Sequence, residues 1–297
     1  MSGGLRVGVL GASGLWHARR LQDAFQRRGH VVATIPATRL VSEIGSDGSA
    51  ALSGPDGVAL HELDLLVVRG LPRGSLEQVI FRMDALHALA AAGVRCVNGP
   101  RAIERTVDKS WAGATLAAAG LPTPATIACE RSADALQAFA RLGGDVIVKP
   151  LFGAMGSGMV RIEDADVALR VFRALELERA VFYLQATIAD ARDLRALVVA
   201  GEVVGAMERV APGWRANVAR GGRPVAATLG AEEERLALRA ARAVEADVAG
   251  VDLLVGRDGA IHVLEVNGIP GWQGLQSVCE ADLTARVVGA CEALVTG

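Results

Sequence analysis

The first hundred or so residues alternate two hydrophobic patterns. Unbroken apolar runs at 6–10 (RVGVL), 30–35 (HVVATI), 63–70 (LDLLVVRG) and 94–98 (VRCVN) are separated by stretches in which apolar residues return every third or fourth position. The runs predict strands. The periodic stretches predict helices at 15–28 and 75–92, closed by Gly29 and Gly93. Strands alternating with helices predict a parallel sheet covered on its faces.

Beyond residue 100 the rhythm changes. A helix is predicted over 101–120, stopped by Gly-Leu-Pro-Thr-Pro, and another over 132–142. DVIVKP and GMVRIE then form a strand pair around a glycine-rich stretch, followed by a helix at 164–177 and a strand at FYLQATI. RDLRALVV and EVVGAMERV read as a hairpin turning at Ala200-Gly201. The segment 211–226, rich in Arg, Gly and Asn, is predicted as a polar loop. A helix at 231–246, a last hairpin and a closing helix from about 280 complete the chain. Gly8, Gly11 and Gly14 sit where a dinucleotide fingerprint would, but their spacing is not GxGxxG and no acid ends the second strand. They predict a tight strand-to-helix turn.

The last hairpin, AGVDLLVGRDGAIHVLEVNG, places chemistry. A two-residue turn at Asp258-Gly259 makes Arg257 face Ala260 and Asp252 face Glu265, with Asn267 on the same side. Val251, Leu253, Val255, Leu264 and Val266 then point into a core, and His262 falls on the face away from the acids. Two carboxylates opposed across strands repel. Neither run carries Lys or Arg beside them, so a divalent cation is the expected remedy. An all-oxygen donor set predicts Mg²⁺ or Mn²⁺.

Composition sharpens this picture at one point. Of 31 basic residues, only Lys109 and Lys149 are lysine. A wet surface cation tolerates arginine. A compact ammonium reaching phosphate oxygens does not tolerate a flat guanidinium so readily. Lys149 closes an apolar run just before GAMGSG, which predicts a nucleotide-phosphate site. The 297 residues imply two or three packed domains, and 51% apolar content implies a globular chain. A net charge of -2 with no basic block gives no indication of a nucleic-acid partner. The N-terminal apolar stretch reads as a strand and not a signal peptide, and no run is long enough for a membrane span. Cys96, Cys129, Cys279 and Cys291 form no CxxC pair, which fits a reducing cytoplasm.

A lysine at 109, a lysine before a glycine loop at 149 and an Asp…Glu-x-Asn hairpin together resemble the ATP-grasp superfamily. VDKSWAGATLAAAGLPTPAT, VIVKPLFGAMGSGMVRI, RDLRALVVAGEVVGAMERV, GWRANVARGG, AGVDLL and LEVNGIPGWQG stand in the order of its RimK-type alpha-L-glutamate ligases, from about residue 107 to 276. The resemblance implies an α/β chain with an ATP-grasp fold. Two α+β subdomains (101–182 and 183–297) would clasp ATP behind an N-terminal parallel-sheet domain (1–100). It implies that Lys109 and Lys149 meet ATP phosphates beneath a lid containing Gly153, Gly156, Ser157 and Gly158. Gln185, Ala186, Thr187 and Ile188 would hold adenine, and Asp193 would meet the ribose side. The family often has an acid after the glutamine. Ala186 stands there instead, so contacts at that point would be to backbone. Arg195, Arg209, Arg215 and Asn217 would hold the substrate carboxylate and transferring phosphate. Asp252, Glu265 and Asn267 would hold two Mg²⁺ or Mn²⁺ ions. Arg215 and Lys149 are the expected catalytic pair. The implied activity joins a carboxylate to an amine through an acyl phosphate, with glutamate as amine and a pterin-type cofactor such as tetrahydromethanopterin as one candidate acid. The implied partners are a small-molecule acid and an amino acid, in a homo-oligomer, with neither nucleic acid nor membrane. An ATP-grasp enzyme of another substrate class, such as a D-alanine-type ligase or carboxylase, and a non-catalytic ATP-binding module are the alternatives.

Overall fold

A computed structural model describes residues 3–153, 158–211 and 222–296. The first apolar run becomes β1 (Arg6–Leu10), followed by α1 (Trp16–Arg27) and β2 (Val31–Ile35). A small hairpin, β3 (Val41–Ile44) with β4 (Ala50–Ser53), precedes β5 (Leu65–Val68), α2 (Leu76–Ala91) and β6 (Arg95–Val97). The order β2-β1-β5-β6 is parallel throughout, as the alternating pattern predicts. Both faces are covered, which explains why these strands are unbroken apolar runs. Leu10, Ile35, Leu66 and Val68 pack with Leu86 and Leu89 of α2. Val7, Val9 and Val67 pack with Leu21 and Phe25 of α1. The β3–β4 hairpin was not legible, because β3 is exposed along its whole length and carries no apolar run.

The predicted helix over 101–120 is two helices, α3 (Pro100–Val107) and α4 (Lys109–Ala118). Asp108 leaves helical geometry at φ -90, ψ 106, and its carboxylate accepts from the amides of Ser110 (2.8 Å) and Trp111 (3.0 Å). An N-cap of this kind satisfies amides that otherwise lack partners. Lys109 is therefore the first residue of α4, at a start and not within a helix.

The middle of the chain forms β7 (Thr126–Cys129), α5 (Ser132–Arg141), β8 (Val146–Lys149), β9 (Val160–Ile162), α6 (Ala165–Leu177) and β10 (Phe182–Ala186). The strands make an antiparallel sheet in the order β7-β10-β8-β9. β7 was missed in the sequence, since its four residues, Thr-Ile-Ala-Cys, are too few to show a period. On one face Val146, Val148, Phe182 and Leu184 pack with Phe139 of α5 and Phe172 of α6. Strand alternation sends Lys149, Tyr183 and Gln185 to the other face.

The last part contains β11 (Arg192–Val199), β12 (Glu202–Val210), β13 (Arg223–Ala226), α7 (Ala231–Ala243), β14 (Val248–Val255), β15 (Ile261–Asn267), α8 (Gln273–Gln276) and α9 (Leu283–Thr296). Its sheet runs β13-β12-β11-β14-β15. One face, with Leu194, Ala196, Val251 and Leu253, buries against Leu236 and Ala240 of α7. On the other face Leu197, Val199 and Met207 join α9 and the N-terminal sheet in one core. Asn98 locks the two parts together. Its amide donates to the carbonyls of Val248 (2.6 Å) and Gly268, and its oxygen accepts from the Val248 amide. Among the described residues, no helix is long and apolar enough to cross a membrane.

Candidate active site

Lys149 is only 6% exposed. Its Nζ donates to Oε1 of Gln185 at 2.6 Å, one strand away on β10. Burial pulls its pKa down to about 8, against the opposing pull of Glu265. Lys109 reaches the same region from the start of α4. Its Nζ donates to the Gly153 carbonyl at 2.8 Å, and burial lowers its pKa also, again against Glu265. A cavity of about 300 Å³ opens between the middle sheet, α4 and β15, walled by Lys109, Lys149, Tyr183, Gln185, Leu264 and Glu265. That volume is at the small end for a ligand site.

Glu265 and Asp252 stand opposite each other, as the hairpin reading predicts. The route to that register differs. Gly256 pairs with Ala260 through a 2.9 Å hydrogen bond, so the turn holds three residues, Arg257, Asp258 and Gly259, the last at φ +80. A longer turn of this type ends in a residue with positive φ. By itself it would slip the register by one. A bulge between Asp252 and Leu253, where Leu253 faces Val263 and Leu264 is left over, restores it. Two expectations are corrected as a result. Val263, not Leu264, is the core residue, and Leu264 lines the cavity. His262 faces Leu254 and so shares the face of Asp252. Its Nδ1 is buried without a hydrogen-bond partner among the described residues.

The charge balance of this face also differs from the sequence expectation. Asp252 is buried at 4% exposure, and its cations come from neighbouring strands. Arg195 on β11 lies directly opposite and donates to Oδ1 at 2.6 Å, while Arg209 on β12 is 3.2 Å from Oδ2. Arg209 also binds Asp193, through Nε at 2.9 Å and through Nη2. Burial opposes ionisation of Asp252, but the two arginines outweigh it and hold its pKa below the usual carboxylate range. Asp193 is pushed up to about 6, because burial outweighs Arg209 there. A pattern confined to one hairpin cannot show cations supplied by the next two strands.

The structure brings Lys109, Lys149, Gln185 and Glu265 around one cavity, with Asp252, Arg195, Arg209 and Asp193 on the adjoining sheet face. Ala186 ends β10, and Thr187 donates its hydroxyl proton to Asp145 Oδ1 at 2.7 Å. Ile188 is half-buried in the link that follows. Gly153 stands beside Lys109, and Gly158 has φ +75, with space for a Cβ blocked by Pro150 at 2.9 Å. Gly156, Ser157, Arg215 and Asn217 lie outside the described residues. Tyr183 and Leu264 are cavity residues the sequence reading did not select. Tyr183 was recoverable from the alternation of FYLQATI, which puts it on the same face as Gln185.

The donor set suits a hard divalent cation. With its amide oriented to satisfy both ends, Asn267 donates to Glu265 Oε1 at 3.0 Å and accepts from Arg195 at 2.8 Å. Each oxygen of Asp252, Glu265 and Asn267 has two lone pairs, so one arginine contact leaves another position for a metal. Among the described residues no group of three or more His, Cys, Asp or Glu could hold a metal.

Two antiparallel sheets facing across a lysine-lined cavity, joined to a parallel-sheet unit, define an ATP-grasp ligase. More particularly, the chain belongs to the RimK-like ATP-grasp family, whose domain description matches residues 106–291. It is 34% identical to a probable alpha-L-glutamate ligase of Xanthomonas axonopodis pv. citri, over 96% of this chain and 96% of that protein. It is 32% identical to the tetrahydromethanopterin:alpha-L-glutamate ligase of Methanosarcina acetivorans, over 88% and 90%. The fold is shared with the ATP-grasp ligase PsnB, solved with minimal precursor, Mg and ADP, at a TM-score of 0.76, 22% identity and 98% coverage of each chain. It is shared also with the D-cycloserine synthetase DcsG, at a TM-score of 0.73 and 18% identity, over 98% of this chain and 100% of that one. The chain is an ATP-grasp enzyme that ligates carboxylates to amines.

Proposed function

We propose that the protein adds L-glutamate to the carboxylate of a small molecule, with ATP as energy source and a divalent cation bound beside it. Similarity to the alpha-L-glutamate ligases carries the choice of amino acid. A pterin-type acid such as tetrahydromethanopterin is the first acceptor to test, on the name of one relative. In this reading residues 1–100, 101–182 and 183–297 act as three units, the last two closing on the nucleotide.

Lys109 and Lys149 hold phosphate oxygens, and the strand end from Gln185 to Ile188 holds the base. Asp252, Glu265 and Asn267 hold Mg²⁺, which when bound neutralises charge on the phosphates. Arg195 and Arg209 brace Asp252 from the next strands, so their first role is to fix that carboxylate. The acceptor carboxylate attacks the γ-phosphorus. An O–P bond forms, and the bond to ADP breaks. The glutamate nitrogen then attacks the acyl carbon, phosphate leaves, and the amine loses a proton. Most of the rate gain comes from positioning and from charge already in place. The test is a screen of amino acids against candidate acids, read as ADP release with product mass. Acid-dependent release with glutamate and a product heavier by one glutamyl unit is the expected result. A clear preference for another amino acid, or ADP release that no acid stimulates, overturns it.

The buried ammonium of Lys149 adds a pH signature. In the free protein it loses its proton as pH rises through about 8. Bound polyphosphate favours the charged form and restores it. Binding of Mg-ADP at pH 8.5–9 should therefore take up most of a proton, and binding near pH 6.5 almost none from this group. Calorimetry in buffers of different ionisation enthalpy measures this. Equal uptake in the parent and Lys149→Met at pH 9 would exclude Lys149 as the source.

A further inference from the structure

The loop after β5 carries a cation that the site described so far does not use. The loop is anchored on both sides. Before it, Arg69 donates to the Pro270 carbonyl at 2.7 Å and stacks over Trp272 with its guanidinium 4.6 Å from the ring centre. After it, the buried Arg82 of α2 donates to the Pro72 carbonyl at 2.7 Å, and Ser75 and Gln78 form a capping box. Between these anchors Arg73 is exposed and makes no ion pair or hydrogen bond with another described residue.

Arg73 reaches the nucleotide side of the molecule. Its Nη2 lies 3.1 Å from where a Cβ on Gly153 would stand. The carbonyl of the same Gly153 accepts from Lys109. Arg73 is close enough to push the Lys109 pKa down, while Glu265 and Asp108 push it up. A guanidinium and an ammonium thus flank one peptide unit, with Lys149 deeper in the cavity. Like charges gathered this closely repel, and a multiply charged anion between them removes that cost. Arg73 does not line the cavity that holds Gln185 and Lys149. It stands outside that lining, beside Gly153 at the start of the stretch expected to cover the phosphates and near Lys109, while Gln185 of the strand end proposed to hold the base lines the cavity. The group of a nucleotide that extends furthest from its base is the terminal phosphate.

We propose that Arg73, delivered by the N-terminal parallel-sheet unit, binds the γ-phosphoryl oxygens of the nucleoside triphosphate. The N-terminal unit then takes part in sensing whether the triphosphate is present. This rests on the ligase reading above. A guanidinium fork suits paired phosphoryl oxygens, and one charge-assisted contact of this kind corresponds to about a tenfold effect or more.

The experiment compares Mg-AMPPNP with Mg-ADP by calorimetry in the parent, Arg73→Gln and Arg73→Lys. Arg73→Gln should weaken Mg-AMPPNP about tenfold and leave Mg-ADP within about twofold, with Arg73→Lys between. Equal effects on the two nucleotides, or no effect on either, overturn the proposal and leave the ligase reading standing. A rise in the KM of the acid acceptor with an unchanged AMPPNP-to-ADP ratio also overturns it, since Arg73 would then meet the acceptor. A parent that binds neither nucleotide overturns the ligase reading and Arg73's role with it.

Discussion

Lys149→Arg should lower kcat/KM by at least about 100-fold although it keeps the charge. The side chain is 6% exposed, bonded to Gln185 at 2.6 Å and paired across the sheet with Tyr183. A guanidinium is wider, flat and fixed in its bond directions, so it cannot take the ammonium's place without moving Gln185 or Tyr183. Forcing a larger group into a packed site costs about 1–3 kcal/mol. The arginine also stays charged at every working pH, so the proton uptake expected from Lys149 should disappear. Steady-state kinetics with the acid and amine from the screen provides the measurement. Activity within about twofold of the parent would show that any cation suffices here.

Glu265→Gln should abolish most activity, by about 100-fold or more, and should also destabilise the metal-free protein. The second half of that expectation reverses what the hairpin implies by itself. Taken alone, Asp252 opposite Glu265 is a repelling pair, and a neutral glutamine would leave the fold as stable or about 0.2–1 kcal/mol more so. In the folded protein Asp252 is matched by Arg195 and Arg209. Glu265 is instead the first carboxylate to support the charges of Lys109 and Lys149. Removing it leaves two partly or fully buried ammonium groups short of an anion, which destabilises the fold. The melting temperature in chelator at pH 7 should therefore fall. The gap between variant and parent should narrow above pH 9, because Lys149 loses its charge on passing about 8 and no longer needs the carboxylate. A variant that melts with the parent at pH 7 and still gains full stability from Mg-ADP would remove Glu265 from the site.

The hairpin shows how a correct site can be read through an incorrect turn. The Asp-Gly pair pointed to a two-residue turn, and the three-residue turn found would alone have carried Asp252 out of line with Glu265. The bulge at Leu264 cancels the slip. Sequence alternation does not reveal a bulge, because one extra residue changes the face of everything beyond it. His262, between the turn and the bulge, and Leu264, in the bulge, were accordingly assigned to the wrong faces, while Asp252, Glu265 and Asn267, beyond the bulge where the register is restored, kept theirs. Asp108 was misread for a related reason: helical periodicity runs on through it, and only its backbone geometry shows that it caps a new helix.

Some features of this protein are local and were present in the chain itself. The unbroken apolar strands, the glycine stops, the two surviving lysines and the acid–x–amide spacing depend on neighbours a few residues away, so pattern and chemistry expose them. Other features are long-range. Arg195 and Arg209 neutralise Asp252 from two other strands, Lys109 and Lys149 converge although they stand 40 positions apart, and Arg73, after β5, comes beside Gly153, after β8. Those relations exist only after two sheets and a helix start are packed against one another. Electrostatic partnership falls off with distance in space and not along the chain, so the tertiary structure alone decided which charge answers which.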